Sequence, residues 1–219
     1  MEESSQERPD PELWRRRRRL FKITGGLIVV LAGGGSVYDY IDTTEQRAEK
    51  QLQEGMSLMG SGAYRDAMAS FDRSIQIWPH AANPYLQRGS AHQILGESDA
   101  ALADFNRALD LDPELAQAHT GRGTIYRDRG DLKAALAEFA ASLHMEPTVS
   151  AYYERGHTYE SLGEHRKAID DYDRGIALMP EAPFLYRARS FARRNLGDIA
   201  GYQADRDKAQ GIETPFRSR

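Results

Sequence analysis

The sequence predicts an all-α protein with one N-terminal transmembrane helix, followed by about five helical hairpins, ten helices in all, that stack into a solenoid. Three observations carry this prediction. Glycine, alanine, aromatic and proline residues recur with a period of about 34 residues from residue 48 onwards. Apolar residues there recur at spacings of three and four, which is typical of amphipathic helices. An uncharged apolar run, directly after five arginines, precedes the periodic region.

Composition and charge narrow the classes of function. The 219-residue chain has a formal net charge of −4, whereas general nucleic-acid-binding domains carry a clear basic excess. We therefore expect no nucleic-acid partner. The chain also has no cysteine, which excludes disulfides, thiolate metal sites, cysteine nucleophiles and lipid attachment through cysteine.

The first predicted element is an N-terminal membrane anchor. Residues 1–13 are polar and acidic, and we expect a disordered cytoplasmic tail there. Residues 14–40 combine a basic flank, with arginine at 15–19, and an apolar stretch at about 20–40 that has no charge between 23 and 38. About 20 helical residues at ~1.5 Å each span a bilayer core of about 30 Å.

The charges around this stretch predict its orientation. Seven basic residues precede it, whereas Asp39, Asp42 and Glu45 come before the next arginine. The positive-inside rule keeps the N-terminus in the cytoplasm and places the remainder on the extracytoplasmic side, which at a bacterial inner membrane is the periplasm. A cleaved export signal is the alternative, because small residues follow the apolar core. Five arginines beside the stretch argue against a buried soluble helix.

The region from residue 48 onwards is an internal repeat. Five series of residues recur in step at spacings of 33 to 35 residues, and chance does not align five series on one period. The series are Pro79, Pro113, Pro147, Pro180 and Pro215; Gly55, Gly89, Gly123 and Gly156; Gly62, Gly96, Gly130, Gly163 and Gly197; Ala67, Ala101, Ala135 and Ala168; and Phe71, Phe105, Phe139 and Tyr172.

Each repeat has the features of two amphipathic helices, A and B, joined at a glycine. The turn glycine adopts left-handed backbone angles cheaply and ends helix A, and the proline stops helix B. The earlier glycine and the alanine allow the two helices to cross closely, and the aromatic residue fills the space between one hairpin and the next. No hairpin can bury its apolar face alone, so we expect the hairpins to stack.

This pattern closely resembles the tetratricopeptide repeat, a 34-residue unit with small residues at positions 8 and 20, an aromatic at 24 and a proline at 32. The resemblance implies a right-handed solenoid over residues 48–216. The last unit matches in part, since Ser190, Tyr202 and Arg206 replace the expected glycine, alanine and aromatic. The predicted organisation is a linker at 41–47, repeats at 48–81, 82–115, 116–148 and 149–182, a degenerate cap at 183–216 and a tail at 217–219.

One further regularity predicts structural ion pairs within the hairpins. An arginine at position 7 of helix A is followed sixteen residues later by a carboxylate in helix B. When partly exposed, such pairs contribute about 0.2–1 kcal/mol each, so we expect them mainly to fix the register of the two helices. The pairs are Arg88 with Asp104, Arg122 with Glu138, Arg155 with Asp171, and Arg189 with Asp205.

The resemblance also implies a concave protein-binding groove, lined by positions 5, 9 and 12 of helix A, which share one helical face. The groove changes from apolar to small polar and then to aromatic and charged, which suits a protein or peptide ligand with an apolar end and an acidic end. Alternatively, its first methionines pack against residues 41–50, and its last arginines form a solvated cap. The predicted groove comprises Leu52, Met56, Met59, Leu86, Ser90, Gln93, Thr120, Thr124, Arg127, Tyr153, His157, Glu160, Arg187, Phe191 and Arg194.

No sequence motif predicts catalysis. The six histidines show no metal-binding spacing, and Asp170, Asp171 and Asp173 lack the glycine and the spacing of a calcium loop. Phosphate-binding and nucleophile-elbow motifs are absent from the sequence. We therefore expect no catalytic residue, no cofactor and no metal, and a protein that is not an enzyme.

These features together predict a membrane-anchored scaffold that binds a protein partner through its groove on the extracytoplasmic side. One alternative is an accessory subunit of a larger membrane complex, in which the apolar helix packs against partner helices. Another is a soluble exported peptide-binding protein that remains after cleavage of the N-terminal segment.

Overall fold

The computed structural model describes residues 37–214, with side chains from Thr44 onwards. In this part of the chain the secondary structure consists of ten α-helices without a strand, as the all-α prediction required. The helices are α1 (Val37–Gly60), α2 (Tyr64–Ile77), α3 (Ala82–Ile94), α4 (Ser98–Leu111), α5 (Ala116–Asp128), α6 (Leu132–Met145), α7 (Val149–Ser161), α8 (His165–Leu178), α9 (Pro183–Asn195) and α10 (Ile199–Glu213).

The predicted N-terminal segments lie mostly outside the described residues. This holds for the tail at 1–13 and for the anchor at 20–40, apart from residues 37–40, which begin α1. Within residues 37–214, no helix combines the length and the apolar character that a bilayer crossing requires. The predicted linker at 41–47 is part of α1, because it contains no glycine or proline that would end a helix.

The turn inside each hairpin uses a glycine in the left-handed conformation. After α3, Gly96 has a φ of +77°. Its N–H donates to the carbonyl of Gln93 (3.0 Å), and the N–H of Glu97 donates to the carbonyl of His92 (2.9 Å), so carbonyls at the end of α3 are satisfied. A left-handed φ is costly for residues with a Cβ atom. The same conformation ends helix A at Gly62, Gly130, Gly163 and Gly197.

An aromatic side chain of helix B packs between the helices of its own hairpin and the next hairpin. Phe105 of α4 is buried. A Cβ atom on Gly89 of α3 would lie 2.9 Å from the Phe105 ring, and one on Gly121 of α5 would lie 2.5 Å from it. Both separations are shorter than a van der Waals contact, so glycine at these positions gives the ring its space. The contact within a hairpin recurs between Gly123 and Phe139 and between Gly156 and Tyr172.

The chain forms two compact units, the first ending at Tyr85 and the second beginning at Leu86. In the second unit each hairpin packs against the following one, with α4 against α5, α6 against α7, and α8 against α9. The first helices of successive hairpins are also neighbours, since α5 contacts α7 and α7 contacts α9. Within this unit the hairpins are therefore stacked in chain order, as in a solenoid.

The first unit has its own small core between α1 and α2. Leu52, Ala67 and Phe71 are buried together, and Met59 packs against them. The hydroxyl of Ser74 in α2 donates a 2.9 Å hydrogen bond to a backbone carbonyl of α1. The first helical hairpin is therefore held by both apolar packing and a buried polar contact.

The fifth hairpin is formed despite its departures from the repeat pattern. Ser190, at the position of the expected glycine, is buried, and its hydroxyl donates to the carbonyl of Arg187 at 2.7 Å. Tyr202, at the position of the expected alanine, lies beside Arg206, whose guanidinium donates to the phenol oxygen at 2.8 Å. Local hydrogen bonds thus accommodate the larger side chains in α9 and α10.

Candidate functional site

We call the side chains at positions 5, 9 and 12 of α3, α5, α7 and α9 the helix A face of the second unit. Helix α5 contacts α7, and α7 contacts α9, so the side chains of these three helices form adjacent rows on this face. Exposure increases along the chain. Leu86 is buried, Ser90, Gln93, Thr120, Thr124, Arg127, Tyr153 and Glu160 are partly buried, and His157, Arg187, Phe191 and Arg194 are exposed.

Two predicted groove residues belong to the protein core. Leu52 is buried with Ala67 and Phe71 in the first unit, and Leu86 is buried in the second. Neither side chain offers a surface to a ligand, because both are almost fully buried. Met59 packs against the first-unit core, whereas Met56 is exposed.

The middle of the helix A face is lined by hydroxyl groups whose protons point to the protein's own backbone or side chains. Ser90 donates to the carbonyl of Leu86 (3.0 Å) and Thr124 to that of Thr120 (3.0 Å). The Thr120 hydroxyl lies 2.8 Å from that of Ser142. A hydroxyl has one proton and two lone pairs, so the groups that donate inwards keep accepting capacity for a partner's N–H groups.

Arg127, the one charged residue of this middle region, is already neutralised. Its guanidinium pairs with Glu154 of α7 and with Asp128 at 3.0 Å. Burial lowers the pKa of Arg127, but the two carboxylates raise it by more, and the net shift is upward. Arg127 therefore links α5 to α7 and is not a free cation for a ligand.

An aromatic cluster follows on α7 and α9. The Tyr153 ring stacks on His157 with centroids 6.3 Å apart and meets Phe184 edge to face at 5.3 Å. Phe184 is 40% exposed. It was missed by the sequence reasoning because it stands at position 2 of its repeat, outside the three positions used to define the groove. The sequence feature that could have identified it is an aromatic residue directly after Pro183, at a repeat position that the repeat pattern does not assign to the core.

The four arginines of α9 fall into two groups. Arg189 and Arg193 bind the buried carboxylate of Asp205, at 2.6 and 3.0 Å. Arg187 pairs with the exposed Glu213 at 2.5 Å, and Arg194 lies over the ring of Phe191 with 5.3 Å to the ring centroid. Of the four arginines, Arg187 and Arg194 are the two that are exposed on the helix A face.

The structure places all four predicted ion pairs at hydrogen-bonding distance. The guanidinium donates two hydrogen bonds to the carboxylate in each, a geometry that fixes direction as well as distance. Hydrogen bonding to Asp171 is the main reason that the pKa of Arg155 is raised. The shorter N–O distances are 2.6 Å for Arg88–Asp104, 2.6 Å for Arg122–Glu138, 2.7 Å for Arg155–Asp171 and 2.6 Å for Arg189–Asp205.

Additional partners of these pairs were not predicted. His119 lies 2.8 Å from Glu138, so that carboxylate faces a histidine as well as an arginine. Arg122 also donates to Asn106 of the preceding hairpin at 2.9 Å, and Arg189 pairs with Asp173 in the same way. The spacing of these second partners is again sixteen residues, but towards the N-terminus, and a search in both directions would have found them.

One buried polar group of the second unit lacks a partner. Tyr172 is fully buried, and none of the described residues forms a hydrogen bond with its hydroxyl. Burial raises the pKa of Tyr172 strongly, with a further contribution from Glu160. The first three repeats carry phenylalanine at this position, so the hydroxyl is not needed for the packing.

Among the residues with described side chains, no group of three or more histidine, aspartate or glutamate residues is arranged to hold a metal ion. Asp170 is exposed, Asp171 is bound to Arg155, and Asp173 is bound to Arg189. These three aspartates therefore serve separate structural roles or face solvent.

Comparison with known proteins supports the repeat assignment. One tetratricopeptide repeat model matches residues 149–181, and a second matches residues 52–116 and 86–149. Together the matches run from residue 52 to residue 181, which is more than half of the chain. No curated protein sequence matches the chain.

Solved structures resemble the fold at low sequence identity. MamA from Desulfovibrio magneticus RS-1 is 21% identical with a TM-score of 0.66, over 78% of this chain and 98% of that one. PilW, described as a widely conserved type IV pilus biogenesis factor, is 22% identical with a TM-score of 0.70, over 76% of this chain and 77% of that one. Pseudomonas aeruginosa PilF is 14% identical with a TM-score of 0.72, over 77% of this chain and 78% of that one. In all, 306 solved chains match significantly, so the fold by itself selects no partner.

Proposed function

Because the chain belongs to the tetratricopeptide repeat family, we propose that it is a scaffold that binds a protein or peptide partner through the helix A face of its second unit. The observation that carries this proposal is the change in exposure along the face. The hydrogen-bonded hydroxyls around Thr124 form the polar floor of this face, and the exposed Phe191 and Phe184 rings follow on α9. Aromatic residues beside a polar floor are common anchors of protein interfaces.

A substitution in the polar floor tests this use of the face. Thr124→Arg adds a long side chain to the floor without removing a core contact, and we expect it to abolish capture of the natural partner. Ala103→Arg is the matched control, since the same residue is then added to the exposed side of α4. The readout is quantitative comparison of proteins crosslinked to each variant in the native membrane. Equal crosslinking of the two variants would refute the use of this face.

The aromatic end has its own test. The double variant Tyr153→Ala and Phe191→Ala removes two rings from the face and should weaken partner capture at least tenfold, since aromatic anchors contribute about 2 kcal/mol or more at interfaces. Tyr153 also packs against the core around Tyr172, so thermal unfolding must accompany the binding measurement. Phe191→Ala alone, at a half-exposed side chain, separates binding from folding.

The proposal includes anchoring through residues 20–40, with the N-terminus in the cytoplasm and the repeats outside it. Its support is the charge asymmetry of the sequence around the apolar stretch. The absence of cysteine makes a direct test possible. In intact bacterial cells, a membrane-impermeant maleimide should label Ser150→Cys, and should label Ser5→Cys only after lysis. Labelling of Ser5→Cys alone in intact cells would reverse the topology.

The same cells distinguish the two alternatives. A mature chain that lacks its first residues and leaves the membrane without detergent is the soluble exported binder. A full-length chain that copurifies with membrane proteins in fixed stoichiometry after mild solubilisation is the accessory subunit. The anchored scaffold predicts a full-length chain extracted by detergent, with substoichiometric partners.

A further inference from the structure

One stripe of α9 alternates aromatic and cationic side chains. Phe184, Arg187, Phe191 and Arg194 follow each other at spacings of three, four and three residues, which places them on one face of the helix. Phe184 is 40% exposed, Phe191 50% and the Arg187 side chain 52%. We call these four residues the α9 stripe.

The two arginines of the stripe are available to an external carboxylate. Arg187 pairs with Glu213 of α10, but both side chains are exposed, and exposed ion pairs exchange readily. Arg194 lies over the rings of Phe191 and Tyr202, at 5.3 and 6.0 Å from their centroids, and none of the described carboxylates pairs with it. A guanidinium stacked on an aromatic ring keeps its N–H edge free for a bidentate hydrogen bond.

The remaining charges near the stripe do not offset these two cations. Helix α9 contains no acidic residue. The two carboxylates of the neighbouring helix α7 are already engaged, because Glu160 lies 3.3 Å from His165 and Glu154 is paired with Arg127. The stripe is thus a positively charged surface with apolar rings between its charges.

We propose that the α9 stripe recognises an acidic peptide segment with two carboxylates three residues apart and an apolar side chain between them, which rests on the proposed scaffold function. Seven helical residues separate the two arginines, or about 10 Å along the axis. A peptide in the polyproline II conformation covers about the same distance in three residues of about 3.1 Å each and, with three residues per turn, presents its first and fourth side chains on one face. The carboxylates then pair with Arg187 and Arg194, and the apolar side chain packs on Phe191. The bound Glu213 shows that a carboxylate fits at Arg187.

The test uses the full-length chain in detergent micelles and a fluorescein-labelled peptide of glycine and serine with Glu-Leu-Ala-Glu at its centre. Fluorescence anisotropy should show saturable binding that weakens as salt rises. The Gln-Leu-Ala-Gln peptide should bind at least about tenfold more weakly, because two charge-assisted hydrogen-bond pairs are lost. No binding, or equal binding of the two peptides, would overturn the proposal.

Variants of the stripe make the test specific. Arg194→Gln should weaken binding about tenfold, while Arg166→Gln, which removes an exposed arginine from α8, should leave it unchanged. Glu213→Gln should tighten binding about twofold to fivefold, since it removes the internal competitor for Arg187. A purely structural role of the α9 arginines predicts no gain from Glu213→Gln, so an unchanged affinity in this variant counts against the proposal.

Two further outcomes separate this inference from its competitors. If crosslinking of the natural partner depends on Thr124 but not on Arg194, the scaffold function stands and the acidic-peptide inference fails. If the peptide does not bind, but vesicles of phosphatidylcholine and phosphatidylglycerol do and Arg194→Gln releases them, the stripe is a membrane contact and the inference fails.

Discussion

Replacing Tyr172 by phenylalanine should stabilise the protein. The Tyr172 side chain is fully buried, and its hydroxyl has no hydrogen-bond partner among the described residues. A buried polar group without a partner costs about 1–3 kcal/mol relative to its solvated state. The phenyl ring keeps the contact with Gly156, so Tyr172→Phe removes this cost without opening a cavity larger than one oxygen atom. We expect a gain of about 1 kcal/mol.

Thermal unfolding measures this gain directly. For a domain of this size, 1 kcal/mol corresponds to a rise in Tm of about 2–4 °C. Phe139→Tyr is the reciprocal control, since Phe139 packs on Gly123 as Tyr172 packs on Gly156. It should lower the free energy of unfolding by about 1–3 kcal/mol. A Tyr172→Phe variant that is less stable than the natural chain would mean that the hydroxyl is hydrogen-bonded, and would refute the reasoning.

The pH dependence supplies a second readout of the same group. The pKa of Tyr172 is raised in the folded state above the unfolded value of about 10, because burial disfavours the phenolate. The folded state therefore holds this proton more tightly, and the corresponding stability is present below pH ~10 and lost as the pH rises above it. The advantage of Tyr172→Phe should grow above pH 10, by up to about 1.4 kcal/mol per pH unit.

Two further substitutions test the packing of the hairpins. Asp205→Asn removes the buried charge shared by two arginines of α9 and should lower the free energy of unfolding in urea by about 3 kcal/mol. Asp170→Asn, at an exposed position, should be nearly neutral. Equal effects of the two substitutions would contradict the role of the buried carboxylate. Gly123→Ala places a Cβ atom 2.7 Å from Phe139 and should lower Tm by several degrees. In the control Gly60→Ala the new Cβ atom has no neighbour within 4 Å, so Tm should stay unchanged. An unchanged Tm for Gly123→Ala would show that the Phe139 ring can move aside.

The sequence was informative about contacts inside one repeat. The glycine–aromatic contact and the sixteen-residue ion pairs join positions at a fixed distance along the chain, so periodicity alone identifies them. Arg155 with Asp171 is an example that follows from one hairpin's own geometry.

Contacts between repeats were harder to predict, because they depend on how one hairpin stacks on the next. The link from Arg127 to Glu154 joins two positions that do not hold an arginine and a glutamate in any other pair of successive repeats. The accessible part of the helix A face was likewise misjudged at Leu86, because exposure at a given repeat position depends on which side chain fills it. The helical conformation of residues 41–47 was missed because helix continuation beyond a repeat leaves no periodic signal.

The fourth hairpin is the least compensated part of the second unit. Asp171 is bound to one basic side chain among the described residues, whereas Asp205 and Glu138 each face two, and its neighbour Tyr172 carries the hydroxyl without a described partner. In a repeat array each unit contributes its own stability, so local opening begins at the weakest unit. Native-state hydrogen exchange should therefore be fastest, among the interior helices, in α8. The aromatic cluster and the α9 stripe border this helix, so the proposed binding surface lies beside the part of the unit that is expected to open at the lowest free-energy cost.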